Sequence, residues 1–444
     1  MFDRSIPWFV SGALLLTTCM PVAAQTTASA RPFRGALFGA QGTPNSPQTL
    51  DVSALFLEAY DDNLFATLGG TVDPRSRAAS GFYTMFLPGI TYRLKHPHYQ
   101  VGVTGASALG YYPDLDAVRS ISHNLGAGFS AQVGRKTTVL LNQTAAYSPS
   151  YLYGLFPGSP EVSPGDPMPD APNYAVNDVE SYSHGTTATL SYDLTTRAAA
   201  SVGGNFRFTD YTHETQVQQD QTSKGFDGEF SYQRTRNLGL LFSYHYSTGN
   251  LAYGGSVDTD EHRLSGGFSY SRALSATRRM NISFNFGTSA VSTSGAPPSL
   301  QLPDRLYRAS ADASVEYPFV RSWRTTASYR RGLEFVPGLL QPVYGNGVSA
   351  ALDGLLNRRV EIGVAGGFSQ GRSALTTAAS QYDTYHGSAR LQYALTNSTA
   401  VHIEYLYYFY DFVGNVLVVS GAPQRLERNG VRIGLRLLVP AFRG

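Results

Sequence analysis

Two pairs of side chains in this chain have types and spacing that suit hydrolysis. Ser243 lies two residues before His245, and His402 two residues before Glu404. In an extended strand, residues i and i+2 share a face, so either pair sets a histidine beside a group that it activates or that orients it, the minimum for nucleophilic or acid–base work. Strand alternation alone also produces such pairs. The remaining histidines do not build further chemistry. His96 and His98 share a turn with no carboxylate near them, and His123, His184, His213, His262 and His386 are scattered without metal-ligand spacing. Cys19 is the only cysteine, and the glycines are dispersed rather than gathered in a phosphate-cradling loop. No catalytic residue, metal or cofactor is expected.

A second polar set is larger and more regular. Arg207, Asp227, Glu229, Arg308, Asp312, Glu316, Arg324, Arg330, Glu361, Arg390, Glu404, Arg432 and Arg436 all fall on one parity of their segments, with apolar residues on the other. Seven arginines against six acids give no strong sign preference. A charge facing lipid at mid-membrane costs ~2–4 kcal/mol, so these groups are expected to face a polar interior. There they pair across a lumen and solvate it, or handle a charged or hydroxyl-rich solute on its way through.

The elements that must hold them read as strands. From Asp51 onward, segments of about ten residues alternate apolar and small polar side chains, the length a tilted strand needs to cross a bilayer. Tyr99, Val101, Val103, Leu109 and Tyr111 oppose Gln100, Gly102, Thr104 and Ala106; Leu238, Leu240, Phe242, Tyr244 and Tyr246 repeat the pattern. Strand centres fall near Phe56, Phe86, Val103, Ala127, Leu141, Ala188, Gly204, Phe230, Phe242, Phe268, Phe284, Ala311, Ala327, Ala350, Val364, Ala389, Tyr405 and Ile433, about eighteen in all. Short connections such as 95–98, 134–136 and 357–358 alternate with long ones such as 61–79, 148–180, 247–260 and 411–424, as periplasmic turns alternate with extracellular loops. Tyr92, Tyr99, Tyr192, Tyr317 and Trp323 lie by the short turns, and Tyr60, Tyr111, Tyr147 and Tyr182 by the long loops, as two interfacial belts would. The expected fold is all-β, a transmembrane antiparallel up-and-down barrel with both termini in the periplasm.

Three segments follow. Residues 1–24 resemble a signal peptide: Arg4, an apolar run from Ile6 to Leu16, and Val22-Ala23-Ala24 as small residues at a cleavage site. Residues 25–50 lack periodicity and read as a disordered periplasmic lead-in, and residues 51–444 form the barrel. A net charge of +2 gives no case for nucleic-acid binding. Short turns carry Arg135-Lys136, Arg278-Arg279 and Arg358-Arg359, whereas the long loops carry Asp61, Asp62, Asp166 and Asp258. The Pro-rich stretch 148–180 is long enough to fold into the pore or cover its mouth.

Tyr60-Asp61-Asp62-Asn63-Leu64-Phe65, Tyr329-Arg330-Arg331-Gly332-Leu333-Glu334-Phe335 with Pro342-Val343-Tyr344, and Asn429-Gly430-Val431-Arg432-Ile433-Gly434-Leu435 resemble stretches of a family of outer-membrane β-barrel porins that accompany exopolysaccharide biosynthesis. That resemblance implies a barrel set among outer-membrane lipids, carrying a polysaccharide substrate and served by a periplasmic polysaccharide-export protein. Asp61, Asp62 and Asn63 are read as a side-chain-to-backbone turn rather than a ligand site. The expected function is an exopolysaccharide conduit, with a general diffusion porin for small solutes as the alternative and an outer-membrane hydrolase third.

Overall fold

The computed structural model describes residues 46–63, 80–113, 118–148, 181–211, 220–252, 256–275, 278–294, 305–319, 322–334, 342–374, 381–413 and 425–444. The signal-peptide reading, most of the lead-in and the Pro-rich stretch lie outside these residues. The first strands are β1 (Gln48–Asp61), β2 (Gly81–Lys95), β3 (Tyr99–Tyr112), β4 (Val118–Val133), β5 (Thr137–Ser148) and β6 (Ser181–Asp193). Next come β7 (Ala198–Tyr211), β8 (Gln221–Gln233), β9 (Leu238–Ala252), β10 (Ser256–Ala273), β11 (Arg279–Ser294) and β12 (Leu306–Tyr317). The last are β13 (Arg324–Glu334), β14 (Val343–Leu355), β15 (Val360–Ser373), β16 (Gln381–Ala394), β17 (Thr399–Val413) and β18 (Arg425–Arg443). Each strand pairs antiparallel with its sequence neighbours, and β1 pairs with β18, so eighteen strands close into a barrel. Every expected strand centre lies within a strand.

Two-residue periodicity sorts the side chains. Val52, Phe56, Phe86, Ile90, Leu125, Leu141, Leu190, Phe230, Phe242, Phe268, Phe284, Val364 and Ile433 stand exposed on one face, an arrangement only a hydrocarbon solvent makes favourable. Charged residues of that face sit toward strand ends, among them Glu58, Lys224, Asp260, Arg331 and Arg372 by the long connections and Arg272 by a short turn. The opposite face holds the charges singled out above together with Ser, Thr, Asn and Gly.

One expected connection needs correction. The connection read as 247–260 is only 253–255, because β9 and β10 continue in register through Thr248↔Asp260 to Ala252↔Ser256. Apolar alternation stops where the lipid stops, but backbone pairing does not need it. Tyr246 Oη donates to Asp260 Oδ1 at 2.9 Å, and its ring meets that of His262 at 5.0 Å. Among the short turns, Gly134 takes φ 72°, the left-handed conformation glycine adopts without steric cost, and so lets β4 reverse into β5.

The wall is not uniformly zipped. The β12–β13 ladder ends at Ala311↔Arg331, while β12 continues on β11 to Leu306 and β13 continues on β14 to Glu334. Beyond that point Leu333 and Tyr344, on the outer parity of β13 and β14, pack with Val291 and Leu306, on the inner parity of β11 and β12. The tips of β13 and β14 therefore pass inside those of β11 and β12. A Cβ at Gly332 would lie 3.4 Å from Arg263 Nη2 on β10, so the overlap reaches a third strand.

Candidate functional site

The barrel closes where its first and last strands meet, and two of the family-like motifs build that closure. Arg428 Nε donates to Asp61 Oδ2 at 2.5 Å, both side chains being buried. Asn429 gives its backbone N–H to Asp62 Oδ1 at 2.7 Å and its Nδ2 to Asp62 Oδ2 at 2.8 Å. Asn63 donates its backbone N–H to Asp61 Oδ1 at 2.9 Å and its Nδ2 to the Glu427 carbonyl at 3.1 Å. The expected side-chain-to-backbone turn is present, and the same carboxylates also tie β1 to β18. At the other end Arg443 Nη2 donates to Asp51 Oδ1 at 2.6 Å.

All twelve candidate lining residues, Arg207, Glu229, Arg308, Asp312, Glu316, Arg324, Arg330, Glu361, Arg390, Glu404, Arg432 and Arg436, fall on the parity opposite the exposed apolar band. Their partners are neighbours along the wall. Arg324 approaches Glu316 on the adjacent strand at 3.5 Å, and Arg390 approaches Glu361 at 3.5 Å and Asp353 at 3.7 Å. Arg432 approaches Glu404 at 3.6 Å, and Arg330 approaches Glu334 at 3.7 Å. Pairing across the lumen, one of the two expectations, does not occur among the described residues. At a strand spacing of ~4.8 Å and a tilt of ~40°, eighteen strands enclose a ring some 35 Å wide, far beyond the reach of two side chains. Arg207 is exposed and has no ion pair among the described residues. Arg308 sits where β12 has lost its β13 partner, with its guanidinium carbon 5.9 Å from the Tyr344 ring.

Two clusters were not anticipated. On β10–β12, Arg263 joins Glu261 through two hydrogen bonds of 3.2 Å, Asp312 lies 3.8 Å away, and Ser289 Oγ donates to Glu261 at 2.5 Å. Glu261, Arg263 and Ser289 are buried beneath the overlapping strand tips, and Asp312 is half-buried. The sequence reading counts Glu261 among the acids of the long connection, whereas the alternation of β10 continued back from Leu264 sets it on the inner face. On β1–β3 and β17–β18, Tyr83 stacks on Tyr112 with ring centres 5.1 Å apart, and Arg432 Nε donates to Tyr83 Oη at 3.3 Å. Tyr83 is 0% exposed and Tyr112 1%, so this part of the inner wall is packed. Leu55, Leu57, Ala59, Met85 and Ala108 complete the same cluster, an apolar patch on the inner face.

Neither hydrolytic pair forms a site that a substrate could reach. Ser243 Oγ bonds Ser265 Oγ at 2.7 Å, while His245 Nδ1 bonds the Asp227 carboxylate. His402 lies 3.6 Å from Glu404 but is 0% exposed, out of reach of any substrate. Among the described residues no group of three or more His, Cys, Asp or Glu side chains is arranged to hold a metal.

No family model matches the sequence, and no curated protein matches it. Solved structures similar in architecture include Pseudomonas aeruginosa OpdQ, at 11% identity and TM-score 0.40, with 89% of this chain and 98% of that one covered. P. aeruginosa OccK2 (OpdF) aligns at 8% identity and TM-score 0.43, covering 89% and 98% of the two chains. Acinetobacter baumannii OccAB3 aligns at 10% identity and TM-score 0.42, covering 88% and 99%.

Proposed function

We propose that this protein is an outer-membrane channel for the passive passage of small hydrophilic solutes. The observation that carries the reading is the inner wall: Arg and acidic side chains of both signs, set among Ser, Thr and Asn, inside a closed barrel whose outer face is apolar. Such a lining solvates ions and polar solutes, and wall pairs that are already satisfied bind none of them tightly. Refolded alone into a planar bilayer, the barrel conducts steadily; a barrel that folds but stays closed without a partner would count against the proposal.

The exopolysaccharide conduit, with its polymer and its periplasmic polysaccharide-export protein, is the second reading, supported by the short motifs. It draws less support from the inner wall, since Tyr83, Tyr112, Tyr382 and Tyr410, the rings best suited to stack on sugars, are buried. Deleting the gene and comparing surface with periplasmic polysaccharide separates the two. Unchanged polysaccharide with slower solute uptake supports the diffusion channel, and polymer held back in the periplasm supports the conduit.

A further inference from the structure

Where β12 and β13 part, the outer wall carries a groove of about 520 Å³ lined by Leu264, Phe286, Thr288, Tyr307, Arg308 and Ala309. Tyr307 at 69% and Leu264 at 64% are the two most exposed large apolar side chains among the described residues, and Phe286 at 56% lies between them. A flat outer wall shares its lipid contact evenly. Here small residues, Gly266 and Ala309, sit beside large ones, so the surface is dented.

Cations stand beside the dent. Arg331 is the register partner of Ala311, one outward position from the groove residue Ala309. It is exposed, with Nε donating to Tyr344 Oη at 3.2 Å and its guanidinium carbon 5.5 Å from that ring. Arg308 approaches the same ring at 5.9 Å. Arg372, exposed, stands opposite Tyr344 on β15. Neither Arg331 nor Arg372, both outward, has an ion pair among the described residues, although most inward arginines do. Unpaired guanidinium groups flanking one ring repel each other, and an anion between them relieves that repulsion.

We propose that this seam is a binding site for a phosphorylated glycolipid of the outer leaflet. One acyl chain lies in the groove against Leu264, Phe286 and Tyr307, and a phosphate meets Arg331 with Arg372 beyond Tyr344. The inference rests on the proposed orientation, with the long-connection ends outward. A free anion would use the cations but leave the groove empty, and a phosphate-free lipid would do the reverse.

The test uses the full barrel purified in detergent, with bisphosphorylated lipid A, phosphate-free lipid A and phosphatidylethanolamine added separately. Native mass spectrometry counts retained lipid, and heat-modifiable electrophoretic mobility confirms folding. One bisphosphorylated lipid A per barrel is expected, with retention falling at least tenfold in Arg331→Gln and in Ala309→Trp, which fills the groove. Equal retention of the phosphate-free lipid, or undiminished retention in both folded variants, overturns the proposal. Conductance is recorded on the same wild-type preparation. A barrel that conducts but holds no lipid A sinks this inference alone, and one that holds it but never conducts sinks the channel reading alone.

Discussion

Arg428 and Asp61 are 367 residues apart in sequence and meet through a 2.5 Å hydrogen bond at the closing seam of the barrel. Removing one partner of a buried pair strands the other charge at a cost of ~3–5 kcal/mol. Asp61→Ala and Arg428→Ala are each expected to lower the urea midpoint of the folded barrel substantially. The double variant should lose less than the two single losses added together, and a double-mutant cycle measures the coupling. Additive losses would show that the pair does not hold the seam.

Arg390 faces two carboxylates, Asp353 and Glu361, within 3.7 Å. Arg390→Gln should leave both negative charges uncompensated on the inner wall. The reversal potential in a salt gradient is expected to move toward cation selectivity, and the move should shrink as salt rises and screens the wall. No shift at low salt would mean that this cluster lies off the ion path.

Phe242 and Ser243 are adjacent on β9 and face opposite ways. Lysine at Phe242 should destabilise the folded barrel by ~2–4 kcal/mol, whereas lysine at Ser243 should be tolerated. The folded fraction of each variant, read by its electrophoretic mobility before and after heating, decides the matter. Equal tolerance would contradict the assignment of the outer face.

Tyr83→Ala removes the ring stacked on Tyr112 and the acceptor of Arg432. A loss of about 3–5 kcal/mol is expected, as for other large aromatic truncations. Single-channel conductance should rise as well, because the vacated volume opens onto the inner wall. A destabilised barrel of unchanged conductance would place the cluster outside the conducting path.

Alternation made the strands legible, because a membrane barrel demands a strict apolar face and every centre from Phe56 to Ile433 lies in a strand. The inward parity of Arg324, Glu361 and Arg432 was legible for the same reason. Pair identity was not, since parity says which face a side chain takes but not which strand lies beside it at its own level. Glu261 read as a loop acid and Arg263 went unassigned, because β10 runs beyond the alternating stretch. The overlap at Leu333 was equally hidden, because it depends on where a ladder stops, and neither Leu306 nor Leu333 differs in type from a wall residue.

The contacts at the two ends of the closing seam carry a consequence for assembly. Sliding β18 against β1 by two residues would keep every apolar side chain facing lipid, so hydrophobic patterning cannot tell the native alignment from its nearest competitors. Arg428 with Asp61, Asn429 with Asp62 and Arg443 with Asp51 can tell them apart, because all of them fail together when the strands slip. The seam thus works as a vernier, with the periodic face setting the coarse scale and the terminal polar contacts reading off the single correct mark.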